Sequence, residues 1–488
     1  MNKKSAFCDS FFFASVVYGS LPTSHNHYKY EKGADHKMRE KVQKQMPLMD
    51  PATDHAQARE LAAIDAILKK HPTICDLVYQ ELSAKRRIKT RSGARGMSAE
   101  QVLRAAIVKT LFGFTYHELA FHLIDSRALR RFCLIGFADK GFKKSVLNKN
   151  IKALSADTWE QINRQLLGHA VAEKIEKGRQ VRIDCTVVET NIHAPTDSSL
   201  LFDAVRVLTR LLHTAQKVSG SNGICFKDHC LRAKRRMLGI QYARKQKQRK
   251  SCYKDLLKVT HDTLGYSRRA ITFIESHGID LALVSIAQQL RHYCDLAEQV
   301  ISQTERRILG EETVPAAEKI FSIFEPHTDI IVKDRRDVFY GHKICLTGGS
   351  SNLLLDCQIT EGNAADSTLT QIMLDRQREI YGRYPLKTAL DGGFASKDNL
   401  EQAKKRGVKD VCFAKKRGLH VDDMCRSQYV YNRLRRFRAG IESGISWLKR
   451  SLGLWRCTWK GLRSFKSYVW CSIVAANLLT LSRRQAAA

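Results

Sequence analysis

Neither a CxxC pair nor a Cys/His array with zinc spacing occurs in this chain, although it holds fourteen cysteines. That excludes the common structural zinc modules. Cysteines scattered in this way are expected as small core residues of a protein from a reducing cytosol. No run of about 18 apolar residues is present, so no membrane-spanning helix is expected. Acidic residues are in deficit. Asp and Glu number 49 against 82 Lys and Arg, a formal net charge of +33. Such an excess spread along the chain implies a polyanionic partner, nucleic acid first. An anionic membrane surface is the second candidate, but no amphipathic anchor or lipidation signal accompanies it. The deficit is sharpest at the C-terminus. After Asp423 the one acid is Glu442, among thirteen Lys and Arg.

The 488 residues, 43% hydrophobic, suit roughly two to four domains with real cores. Residues 1–55 lack steady periodicity and are expected to be poorly ordered. KKSAFCDSFFFASVVYGSL has the basic start and short apolar core of a weak signal peptide, but Asp9 and Ser10 interrupt it. An unstructured extension, or a true start at Met38, is the alternative, and a cytoplasmic location is expected.

Helical patterns fill residues 60–84, with a break at His71-Pro72. A basic linker or arm follows over 84–96. Ser98 with Gln101 and Thr115 with Glu118 stand in capping-box positions. The two short helices they open form a candidate helix-turn-helix, with plain core helices as the equal alternative. A further helix begins near Ser155. At 181 the period changes to two: Val181, Ile183, Cys185 and Val187 alternate with Arg182, Asp184 and Thr186, which is a strand. Helices return from about 198 to 310. They include nine cations without an acid over 232–250, read as DNA contact since such a run repels itself unless neutralised. Strands are expected at 320–326, 337–349, 352–362, 386–391 and 411–416, with helices between the later ones and from about 429.

An acid inside a strand runs against propensity, so Asp184 asks for a reason. Asp391 ends a strand just before Gly392-Gly393. On a wheel at about 100° per residue, Phe437, Ile441, Ile445, Leu448 and Leu452 form a buried stripe. Arg435, Arg438, Glu442 and Lys449 fall in the adjacent arc. Local pairing of Glu442 with Arg438 would contribute only about 0.3–0.5 kcal/mol and leaves the other two acids unaccounted for. Three carboxylates on two strands and a helix suit hard divalent cations. Two such ions serve in-line phosphoryl transfer, and the neighbouring cations would hold DNA phosphates.

These segments resemble bacterial insertion-sequence transposases of the DDE type. RIDCTVVETNIHAPTDSSLL (182–201) resembles their first-acid strand. GHKICL with DCQITEGNAADS (341–367) resembles the hairpin and following turn, and LDGGFASKDNLEQAKKRGVKDVCFAKK (390–416) the second-acid segment. Arg438, Glu442 and Lys449 match the spacing of a Tyr-Arg-Glu-Lys signature, with Arg435 in place of the tyrosine. The resemblance covers about residues 95–482. It implies an α/β, ribonuclease-H-like mixed sheet with flanking helices, a helical insertion at about 198–310, and an all-α N-terminal domain. On that reading residues 56–175 bind DNA and 176–484 form the catalytic domain. It implies Asp184, Asp391 and Glu442 as catalytic metal ligands for two Mg²⁺ ions, with Mn²⁺ as the substitute. Arg435, Arg438 and Lys449 are the expected DNA contacts. The implied partners are double-stranded DNA, as terminal inverted repeats and target, and a second copy of the chain on that DNA. No membrane and no small-molecule substrate is expected, and the location implied is the nucleoid. A catalytically dead DNA-binding derivative and a ribonuclease-H-fold nuclease without transposition stand as alternatives. Asp197, Asp356, Asp366 and His193 are weaker site candidates. Asp197 and Asp366 are expected instead in capping or loop bonds.

Overall fold

The structure is a computed structural model that describes residues 55–84, 96–136, 138–220, 223–277, 280–333 and 337–487. The N-terminal extension and most of the basic 84–96 run lie outside these residues.

The helical block opens with α1 (Ala56–Lys70) and α2 (Pro72–Ala84), parted where Pro72 begins a new first turn. Next come α3 (Ala99–Leu111), α4 (Tyr116–Asp125), α5 (Arg127–Phe132), α6 (Lys144–Ile151) and α7 (Ala156–Ala172). Both expected capping boxes form, at Ser98 with Gln101 and at Thr115 with Glu118.

Strand β1 (Gln180–Glu189) follows, then the long helices α8 (Asp197–Ser219), α9 (Cys230–Tyr242), α10 (Gln246–His277) and α11 (Leu281–Thr304). These four bury their apolar faces on one another in a separate cluster, which makes them an insertion between β1 and the rest of the sheet. The sheet resumes with β2 (Asp329–Lys333), β3 (Asp337–Gly349) and β4 (Leu354–Ile359). Then come α12 (Asp366–Tyr381), β5 (Lys387–Leu390), α13 (Lys397–Lys405), β6 (Asp410–Phe413) and α14 (Val421–Met424). The chain ends in α15 (Gln428–Ser451) and α16 (Leu462–Ala487).

The strand order is β2-β3-β1-β5-β6, with β4 also on β3. β1 is antiparallel to β3 and parallel to β5, and β5 is parallel to β6. An antiparallel meander feeding parallel strands beside β1 is the ribonuclease-H-like mixed sheet. One cluster, with Ile183, Leu390 and Phe413, joins the sheet to α12, α13 and the start of α15. The other joins Val188, Leu346 and Ile441 to α16 and the N-terminal helices. The helical block and the C-terminal helix therefore share one core.

Two expectations need correction. Residues 320–326 are not a strand; the strand is β2, at 329–333. Ile320, Phe321 and Ile323 are buried, but side chains take the backbone groups that a ladder would use. Gln303 Oε1 accepts from the Ile320 amide at 2.8 Å, and Ser322 Oγ from those of Phe324 and Glu325. Asp366 does not cap α12. Ala365 holds the N-cap position without a side-chain bond, and Asp366 accepts from Lys343 Nζ at 3.0 Å.

Candidate active site

Register brings the first two acids together. β1 and β5 pair in parallel up to Ile183 opposite Leu390. Asp184 and Asp391 are the next residues on each strand, and β5 ends there, so Asp391 turns into the short Gly392–Phe394 helix. Neighbouring strands lie about 4.8 Å apart. α15 crosses the same strands and supplies Arg438 and Glu442, one turn apart.

Arg438 is the centre of the cluster. Its Nη1 lies 3.1 Å from Asp391 Oδ1 and 3.6 Å from Asp184 Oδ2, and its Nη2 pairs with Glu442 Oε1. Its side chain is 14% exposed, that of Asp184 16%, of Asp391 40% and of Glu442 57%. The site is thus sheltered at the strand and open along the helix. Asp184 Oδ1 also accepts from the Cys185 amide at 2.8 Å.

The position of α15 is set by a residue that sequence reasoning passed over. Arg182, two before Asp184 on β1, donates to the Phe437 carbonyl at 3.1 Å and to Asn352 Oδ1 at 2.6 Å. Its guanidinium also lies 4.8 Å from the Phe437 ring centroid. Burial lowers its pKa, opposed by Glu176. Gly440 is what admits it, since a Cβ there would overlap the guanidinium. The signal in the sequence was a cation inside a buried strand, facing the same side as Asp184.

The other expected residues lie further out. Arg435 is exposed on α15. Lys449 lies two turns beyond Glu442, its Nζ 5.2 Å from the Trp455 ring centroid. Asp197 sits in the first turn of α8, where Arg307 at 2.7 Å and Gln303 at 3.2 Å bind it. Asp356 is buried against Arg376, with bonds of 2.6 and 2.7 Å. Burial raises its pKa despite that partner. His193 faces Asp203 at 3.5 Å.

Three carboxylates converging on one cationic group form the hard oxygen donor set that a divalent ion takes. Among the described residues no group of three His, Cys, Asp or Glu side chains is spaced as an ion's ligands, and Arg438 Nη atoms contact all three acids. In donor chemistry the residues fit a divalent metal; in this arrangement they are held by an internal cation instead.

The fold is thus a ribonuclease-H-like mixed sheet with acids on β1, after β5 and on a helix across them. The family described as Transposase DDE domain matches residues 332–478. The match takes in Asp391, Arg438, Glu442 and Lys449, while Asp184 lies before it, and it supports a DDE transposase. No curated protein and no solved structure matches the chain.

Proposed function

We propose that this protein cuts DNA at the ends of an insertion sequence and joins the freed 3′ ends to target DNA. The observation that carries the reading is the convergence of Asp184, Asp391 and Glu442 on one point from two adjacent strands and a helix. The three acids would hold divalent metal, Mg²⁺ by preference or Mn²⁺. When bound, such ions stabilise the attacking and leaving oxygens of an in-line displacement at phosphorus.

The chain's own residues supply placement and grip. β1 and β5 fix two acids by ladder register. Arg182 fixes the helix that brings the third. Arg438 and Lys449 offer charge to the phosphates, and exposed Arg435 extends that line by one turn. On the insertion, Lys234, Arg235, Arg244, Lys245 and Lys247 are exposed, whereas Arg232 and Arg236 pair with Asp255 and Lys250 with Glu311. The first five extend the DNA contact, and the helical block adds the end-binding surface. A homodimer pairs the two ends.

The test is cleavage of a labelled donor carrying the native element's ends, with Mg²⁺ or Mn²⁺, by wild type and Glu442→Gln. Cutting at the ends by wild type, and binding without cutting by the variant, is the expected outcome. Binding without cutting by both would favour a DNA-binding derivative. Cutting without strand transfer into a target plasmid would favour a nuclease.

A further inference from the structure

Trp455 stands apart in the segment between α15 and α16. Leu452, Leu454, Cys457 and Trp459 are buried there, yet Trp455 is 55% exposed. The segment is firmly held. The Glu189 amide donates to the Trp455 carbonyl at 3.1 Å, and the Cys457 amide to the Glu189 carbonyl at 2.8 Å. Arg456 thereby bridges the end of β1, and its Nε donates to Glu189 Oε2 at 3.0 Å. On the other side Tyr468 donates to the Gly453 carbonyl at 2.8 Å. Gly453 has φ +74°, a left-handed turn that suits glycine. The indole is therefore presented outward by a backbone fixed to the strand that carries Asp184.

Its surroundings are cationic. Lys449 Nζ lies over the ring, and Arg450 and Lys460 are exposed nearby in sequence. No acid follows Glu442 in the chain. A nucleotide matches both features, with a π face for the indole and a phosphate for the ammonium.

We propose that Trp455, with Lys449 against its face, is a stacking platform for a DNA base near the cleaved bond. The inference rests on the transposase reading. Lys449 lies about 10 Å along α15 from Glu442. Glu189 lies about 16 Å along β1 from Asp184. At about 3.4 Å per step of one strand, the platform meets a base about three to five steps from the acids. Stacking is tolerant of sequence and needs an accessible ring face. The platform therefore engages an unpaired or unstacked base rather than reading its identity.

The test uses the full chain and a duplex of the element's end with an unpaired tail. A fluorescent purine analogue, quenched by stacking, is placed at successive positions. Wild type is expected to quench it at one or two positions about three to five steps from the cleaved bond. Trp455→Ala should abolish the quench and weaken binding by about 5- to 150-fold, with unchanged melting temperature because the side chain is exposed. Trp455→Phe should retain the quench. Lys449→Ala should reduce the slope of log affinity against log salt by about 0.9, which Trp455→Ala should not. DNA binding by wild type without any quench, or an equal quench in Trp455→Ala, overturns the inference alone. So does loss of a DNA-free dimer in Trp455→Ala with the quench intact, since the indole is then a protein contact. No binding of the duplex by wild type at low salt overturns the transposase reading and this inference with it.

Discussion

Replacing Arg438 by glutamine removes the cation on which three acids converge, and the consequences follow from exposure. One ion pair at about 4 Å in an effective dielectric of about 20 is worth roughly 4 kcal/mol. Asp391 and Glu442 are 40% and 57% exposed, so solvent screens their pairs to about 0–1 kcal/mol each. The pair with Asp184 is more sheltered but longer, at 3.6 Å. Together these give about 2 kcal/mol of attraction lost, with the repulsion among the acids left unrelieved. A divalent ion entering the wild-type site must displace the guanidinium from the same oxygens, and the variant lifts that competition. About 2 kcal/mol corresponds to roughly 30-fold tighter Mn²⁺ binding. Calorimetric titration of Mn²⁺ without DNA measures it directly. Thermal unfolding gives a second reading: the metal-free variant should lose stability and regain it at saturating metal. Unchanged or weaker Mn²⁺ binding in Arg438→Gln would refute the view that Arg438 competes for the acids.

Arg376→Met leaves buried Asp356 without its bidentate partner, and should cost about 3–5 kcal/mol in denaturant unfolding. Gly341→Ala puts a Cβ into the backbone of Val188 and Glu189. It should strain the β3–β1 pairing and cost about 1–3 kcal/mol or more, seen as a lower denaturant midpoint. The chain Glu325–His327–His342–Asp329, with links of 2.8, 2.8 and 3.0 Å, ties the approach to β2 to β3. Burial pushes both of its carboxyls up, but histidine and backbone-amide hydrogen bonds bring them net below 4.5 for Glu325 and 3.8 for Asp329. A depressed folded pKa stabilises above the unfolded value and is lost as pH falls through the folded one. The melting temperature should therefore drop below about pH 4.5, and Glu325→Gln should flatten that drop.

Local chemistry made much of the fold legible in the sequence. Capping boxes at Ser98 and Thr115, the period-two run of β1 and the proline break at residue 72 need only neighbours a few residues away. The acids at 184, 391 and 442 stood out because each contradicts its local setting. What the sequence could not settle depends on partners distant along the chain. Residues 320–326 are as apolar as a strand, but Gln303 claims the Ile320 amide from α11. Asp366 looks like a cap until Lys343 reaches it from β3. Arg182 reads as one more cation until Gly440 admits it under α15. Above all, the wheel set Arg438 beside Glu442 on one arc but could not bring the other two acids to it. Only the ladder register that aligns Asp184 with Asp391, and the helix laid across both, sets its guanidinium among all three carboxylates. Charge pattern and periodicity are properties of the chain. Which charges meet is decided by the packing of elements that lie hundreds of residues apart.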